Sequence, residues 1–182
     1  MVRRPTADEL AAAREEVLPD VVAAGLDVLF CGINPGLYSA ATGYHFARPG
    51  NRFWPALHRA GFTDRQLRPD EQDDLLAFGL GVTNIVRRAT ARADELTGDE
   101  LRDGALQLTN LVRGLEPRVL AVVGITAYRT AFGRPDAVIG AQDDRIGSTR
   151  VWVLPNPSGL NAHYQLPALV DEFRALRDAL AG

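Results

Sequence analysis

Four short apolar runs set the terms on which this chain folds: DVLFCGI (27–33), LGVTNIV (80–86), RVLAVVG (118–124) and RVWVLP (150–155). Each is strand-length, and the first and third read as strands buried on both faces. Between them lie stretches with helical signals. Residues 7–18 follow a Thr6 cap and end near Pro19, and NRFWPALHRAGF starts at a capping Asn51. RPDEQDDLLAFG opens on Pro69 and stops at Gly79. Thr97 and Glu100 have capping-box spacing ahead of a long helix through Leu101, Ala105, Leu108 and Leu111. ITAYRTAFG and a C-terminal segment from about Pro167 complete the set. Strands alternating with helices predict a single-domain, doubly wound α/β/α sandwich around a mostly parallel sheet. Residues 1–26 would form an N-terminal helical region and residues 27–182 the sheet core.

Composition removes several function classes. The chain holds 182 residues, enough for one well-cored domain. No apolar run is long enough to cross a bilayer, and MVRRPTADEL lacks the apolar centre of a signal peptide, so a cytoplasmic location is expected. Cys31 is the only cysteine, which excludes an internal disulfide and a thiolate-built zinc or iron–sulfur site. All 20 basic residues are arginine. No lysine side chain is therefore available for Schiff-base catalysis or for the phosphate grip of a P-loop. The net charge of −3 argues mildly against nucleic acid, yet residues 28–63 and 145–170 contain no carboxylate. Those two windows would make one anion-tolerant face if the fold brings them together.

Two loops leave the carboxyl ends of their strands, GINPG (32–36) and NPSGL (156–160), and ligands in open α/β sheets bind at that edge. Neither loop has the glycine spacing of a dinucleotide or P-loop site. A single Asn-Pro step is a common turn starter. Two of them after two strands, INPG and PNPS, point to something more specific.

GINPGLYSAATGYHFARPGNRFWPALHRAGFT, followed by GVTNIVRRAT and VWVLPNPSGL, resembles the mismatch-specific uracil/thymine DNA glycosylases, a branch of the uracil-DNA glycosylase superfamily. The similarity runs from about residue 27 into the C-terminal helix. It implies the uracil-DNA glycosylase-like fold and a monofunctional enzyme of base excision repair. Such an enzyme flips mismatched uracil or thymine, chiefly opposite guanine, or ethenocytosine, and hydrolyses its N-glycosidic bond. It also implies double-stranded DNA as partner, a monomer, and no cofactor, metal or membrane. In the cell the protein would be nucleoid-associated when bound to DNA. Strand cleavage by a lysine is not expected of a chain without lysine.

The resemblance assigns roles residue by residue. Asn34 matches the water-positioning residue; an amide orients water but cannot take its proton, which implies slow turnover. Phe46 matches the aromatic on which the extruded base stacks, the rival reading being a core phenylalanine under the loop. Ile33, Gly36, Ser39 and Tyr44 would line the base pocket with it, although Ser39 also reads as a plain loop serine and Tyr44 as packing on the next helix. Asn156 stands where faster relatives place a histidine for the base oxygen, and Asn84 stands where some relatives have lysine. In the second loop Leu160 would be the wedge filling the vacated stack. Gly159 and Asn161 would lie near the orphaned base, and Ser158 would contact phosphate.

NAHY replaces the Ser-Arg that the family often carries after NPSGL, leaving His163 as the candidate to substitute in part for that arginine. Cys31 reads as a small buried hydrophobe. Arg48 and Arg52 read equally as phosphate contacts and as a solvated loop face, and Arg87, Arg88 and Arg92 more readily as a surface patch than as a DNA groove. Two other functions remain open: a non-catalytic mismatch or abasic-site binder, and a hydrolase of free pyrimidine nucleosides.

Overall fold

The computed structural model describes residues 2–182; Met1, the first residue of the expected N-terminal region, lies outside the described residues. Five strands form one sheet: β1 (Val28–Gly32), β2 (Leu80–Asn84), β3 (Val119–Val123), β4 (Gly140–Ile146) and β5 (Thr149–Leu154). Their order is β2-β1-β3-β5-β4, all parallel except β4 against β5. The fold is therefore the mostly parallel α/β sandwich that the apolar runs predict.

The central strands are buried along their whole length because both faces are covered. Val28 and Phe30 of β1, with Val119, Ala121 and Val123 of β3, face one core. Leu29 and Cys31, with Leu120 and Val122, face the other. This period-two division packs the first face against α3 (Phe53–Arg59) and α6 (Leu166–Leu180). The second face packs against α4 (Gly98–Leu115) and α5 (Ile125–Phe132). Thr97 and Glu100 form the capping box that starts α4. α1 (Ala7–Ala12) is likewise boxed by Thr6 and Glu9, but it gives way to a 3-10 turn at Ala13–Glu15 well before Pro19.

Three local features depart from expectation. Residues Pro69–Phe78 form a 3-10 segment with a kink at Glu71 rather than an α-helix. Asp70, Asp73 and Asp74 would repel one another at helical spacing, and only Leu75 is buried, so an α-helix has little to hold it. The strand β4 carries no apolar run: Asp143, Asp144 and Arg145 are exposed at the sheet edge, where charge blocks further pairing. A two-residue turn, Gly147-Ser148, returns the chain into β5. Inside the first loop a six-residue helix, α2 (Leu37–Thr42), ends at Gly43.

Consecutive strands β1 and β2 are joined over the face of α3, whereas β2 returns to β3 through α4 on the opposite face. β1 thus has neighbours reached over opposite faces. The crevice between the carboxyl ends of β1 and β3 is the switch point where such sheets bind ligands.

Candidate functional site

A pocket of about 170 Å3 opens at that switch point. It is below the ~300–1,000 Å3 usual for drug-sized ligands, so it suits one small ring rather than a whole nucleotide. Ile33, Asn34, Gly36, Ser39, Phe46, Asn84, Asn156 and Ser158 line it. Tyr44 does not: it lines a separate depression with Pro5, Ala41, Thr42 and Asp70.

Asn34 leaves β1 and is fastened from the loop after β2. Its Nδ2 donates to the Arg88 carbonyl (2.9 Å) and to Thr90 Oγ1 (2.8 Å). Thr90 Oγ1 gives its own proton to the Arg92 carbonyl (2.7 Å), so it must accept from Asn34, which fixes the amide's orientation. Asn34 Oδ1 is left without a protein donor among the described residues. Backbone bonds zip the two loops together, from Ile85 N to the Gly32 carbonyl, Val86 N to that of Ile33 and Thr90 N to that of Pro35.

The basic run around this loop is committed elsewhere. Arg87 pairs with Asp20 (3.2 Å), Arg88 with both oxygens of Glu100, and Arg92 with Asp94 (3.2 Å). Arg88 holds the Glu100 carboxyl down at about 2, with help from the Thr97 amide that the same carboxylate caps.

Phe46 has φ +50°, a conformation that is an outlier for a bulky side chain. Its neighbours hold it there. The buried His45 has its amide bonded to Gln72 Oε1 (2.8 Å), its carbonyl to Trp54 Nε1 (3.2 Å), and Nε2 to the Pro19 carbonyl (2.8 Å). On the other side Ala47 N donates to Ser39 Oγ (3.1 Å). Ser39 is thus a strut of the loop, and its carbonyl takes the Gly43 and Tyr44 amides as well. The backbone conformation of Phe46 is thus fixed from both sides by bonds of its neighbours. The Phe46 ring lies on Phe53 (centroids 4.1 Å apart, 25° between planes) and half-buried against the pocket. Burial pushes His45 below its usual 6.5, leaving it neutral with Nε2–H donating to Pro19.

Gly32 ends β1 opposite Asn84. A Cβ there would overlap Asn84 Oδ1 while meeting Phe46 Cζ at an ordinary 3.5 Å, so the bare glycine lets the Asn84 side chain cross the strand end. Asn156 mirrors Asn34. Its Oδ1 accepts the Ser158 amide (2.9 Å), which turns Nδ2 outward as a donor.

The loop after β5 stands beside the pocket. Leu160 is 77% exposed at its tip, an unusual position for a leucine. Gly36 is exposed at the start of α2, and Gly159 packs against the backbone of Gly50. Asn161 Nδ2 donates to the Asn156 carbonyl (3.0 Å), and His163 is exposed beyond it. Arg48 is exposed at the pocket rim, whereas the Arg52 guanidinium faces the loop's carbonyls. The two acid-free windows do meet on this face.

Thr90, His45 and the loop-facing Arg52 were not predicted from sequence. Thr90 and His45 are buried polar residues (1% and 2% exposed) whose partners lie tens of residues away. The only sequence sign of His45 and Arg52 is their place in the acid-free window. No group of three metal-ligating side chains occurs among the described residues, nor any helix long and apolar enough to cross a membrane.

Comparison with known proteins agrees with this fold. Among solved structures, a solution NMR structure of a candidate uracil DNA glycosylase from Methanosarcina acetivorans is similar in fold, with a TM-score of 0.60 at 20% identity. The match covers 90% of this chain and 98% of that one. The family model described as the uracil DNA glycosylase superfamily matches residues 19–181. With that match spanning both loops and all five strands, the chain belongs to the uracil DNA glycosylase superfamily.

Proposed function

We propose that the protein is a monofunctional DNA glycosylase of the mismatch-specific uracil/thymine branch, acting on uracil or thymine opposite guanine. The observation that carries the reading is the Asn34 amide at the pocket wall, held by two bonds through Nδ2 while Oδ1 has no protein donor among the described residues.

In this reading the extruded pyrimidine stacks on Phe46, a contact worth about 1–3 kcal/mol. Asn34 Oδ1 accepts a hydrogen bond from a water and aims its lone pair at C1′. The C1′–N1 bond breaks, its electron pair leaves with the base, and the water oxygen bonds to C1′. Asn156 Nδ2 donates to the base oxygen on which the charge gathers, as a neutral donor in a partly closed site. Asn84 supplies a second amide to the base edge. The water's proton passes to solvent, since no carboxylate lines the pocket to receive it. Orientation rather than base catalysis makes the reaction slow, and mismatched pairs, cheaper to open, become the natural substrates. Leu160 fills the vacated stack, a use that a hydrolase of free nucleosides would lack.

The test is single-turnover base release from a G·U duplex at enzyme excess. Wild type is expected to leave an abasic site, and Asn34→Ala to be slower by about 10²-fold. Mismatch binding without release, unchanged by Asn34→Ala, would reassign the protein as a binding module.

A further inference from the structure

The loop that presents Leu160 has no regular secondary structure, yet one side chain gathers it. Arg52 reaches across from the residue before α3, and its Nη1 donates to the carbonyls of Tyr164 (2.9 Å), Asn161 (3.1 Å) and Ser158 (3.5 Å). Nη2 donates to the Gly159 carbonyl (3.2 Å) and to Gln165 Oε1 (3.2 Å). The Arg52 backbone amide adds a bond to the Pro157 carbonyl (2.8 Å). Residues 157–165 thus wrap around one guanidinium, and Leu160 projects from the wrap with its own carbonyl outside it.

Converging carbonyl oxygens repel one another unless a cation sits at their centre. The two terminal nitrogens of a rigid planar fork carry four N–H groups side by side and serve all of them; the three donors of an ammonium on a flexible stem cannot span the same arc. The neighbouring residues tie this cation to the pocket: Asn51 Oδ1 accepts the Phe53 amide (2.9 Å), and Phe53 is the ring beneath Phe46. One short stretch, 51–53, therefore holds both the pocket's aromatic and the exposed leucine.

We propose that Arg52 is a positioning residue that preorders the Leu160 loop for insertion into a base stack, rather than a contact to phosphate. It rests on the glycosylase reading for the role of Leu160, and on the hydrogen bonds alone for the order of the loop. Ordering the loop in advance removes an entropy cost that would otherwise fall on DNA binding. That benefit matters only where a stack must be invaded, so duplex substrates depend on Arg52 and single strands largely do not.

The experiment has two arms. Hydrogen exchange of the free protein should show Arg52→Ala raising exchange in residues 158–165 by about tenfold or more, with α4 and β3 unchanged. Single-turnover release should fall at least about tenfold further on a G·U duplex than on single-stranded uracil DNA. Arg52→Ala and Leu160→Ala combined should be little worse on duplex than the poorer single variant, because both act through one loop. Arg52→Lys should fail to restore either readout; if Arg52→Ala does not fold, Arg52→Gln carries the same comparison. Unchanged loop exchange, equal losses on both substrates, or rescue by Arg52→Lys would each overturn the proposal. A wild type that releases no base from either substrate would sink the glycosylase reading, while the exchange arm would still decide whether Arg52 orders the loop.

Discussion

Asn34 and Thr90 lie on loops from different strands, and their 2.8 Å bond, with that to the Arg88 carbonyl, ties down Asn34 Nδ2 and leaves Oδ1 without a donor among the described residues. Thr90→Val keeps the shape of this buried residue and removes the acceptor. Base release from G·U should slow by about tenfold, equivalent to ~1.4 kcal/mol, with little change in duplex affinity. A loss confined to binding would contradict this role.

The same bond bears on Asn34→Asp. A carboxylate would place an oxygen against the Arg88 carbonyl, where the amide now donates at 2.9 Å. The substitution is therefore expected to lower the melting temperature and to bring no gain in rate at neutral pH, despite the stronger base it adds. Melting curves and single-turnover rates measured side by side give the answer.

Phe46 combines a stacked ring with a left-handed backbone. Phe46→Ala loses the platform and keeps the strain, whereas Phe46→Gly loses the platform and relieves it. Both should release base more slowly, by about 1–3 kcal/mol of lost stacking. In urea denaturation the glycine variant should match or exceed the alanine variant by ~1 kcal/mol, reversing the usual order.

Gly32 is small because Asn84 crosses it. Gly32→Ala should fold, since the atom it displaces ends a side chain, but it should push the Asn84 amide out of the pocket. The expected result is near-native melting with impaired base release, and Asn84→Ala in the same background should add little. Full activity in Gly32→Ala would show that the Asn84 position is immaterial.

His45 makes stability depend on pH. Its folded pKa lies below the unfolded 6.5, so the folded chain binds fewer protons in that window. The contribution is complete above about pH 6.5 and is lost as pH falls from there toward the folded pKa. Glu9 and Glu100, both held at about 2, titrate far below it. Melting temperature should decline as pH falls below about 6.5, and His45→Gln should flatten that decline while lowering stability overall.

What could be read from sequence follows from how local each signal is. The β1 and β3 runs announce themselves because both of their faces are buried. β4 does not, because an edge strand that must repel other edges carries Asp143, Asp144 and Arg145 instead of an apolar pattern. Asn34, Phe46 and Asn156 converge in one pocket because the strand ends dictate which loops meet. The anchors beneath them are set by tertiary distance: Thr90 is 56 residues from Asn34, and Arg52 is 112 from Tyr164. Tyr44 looked close to Phe46 along the chain, but the left-handed turn at Phe46 lies between their side chains and sends them to different depressions.

Gly159 has a wider consequence. A Cβ added there would come within 2.6 Å of the Gly50 carbonyl oxygen, a backbone atom that cannot step aside. The tip of one loop and the turn of the other are therefore cut to a common outline. Chimeras that import a relative's 156–165 segment should need its 48–52 turn as well, so the two stretches, more than a hundred residues apart, behave as one exchangeable cassette.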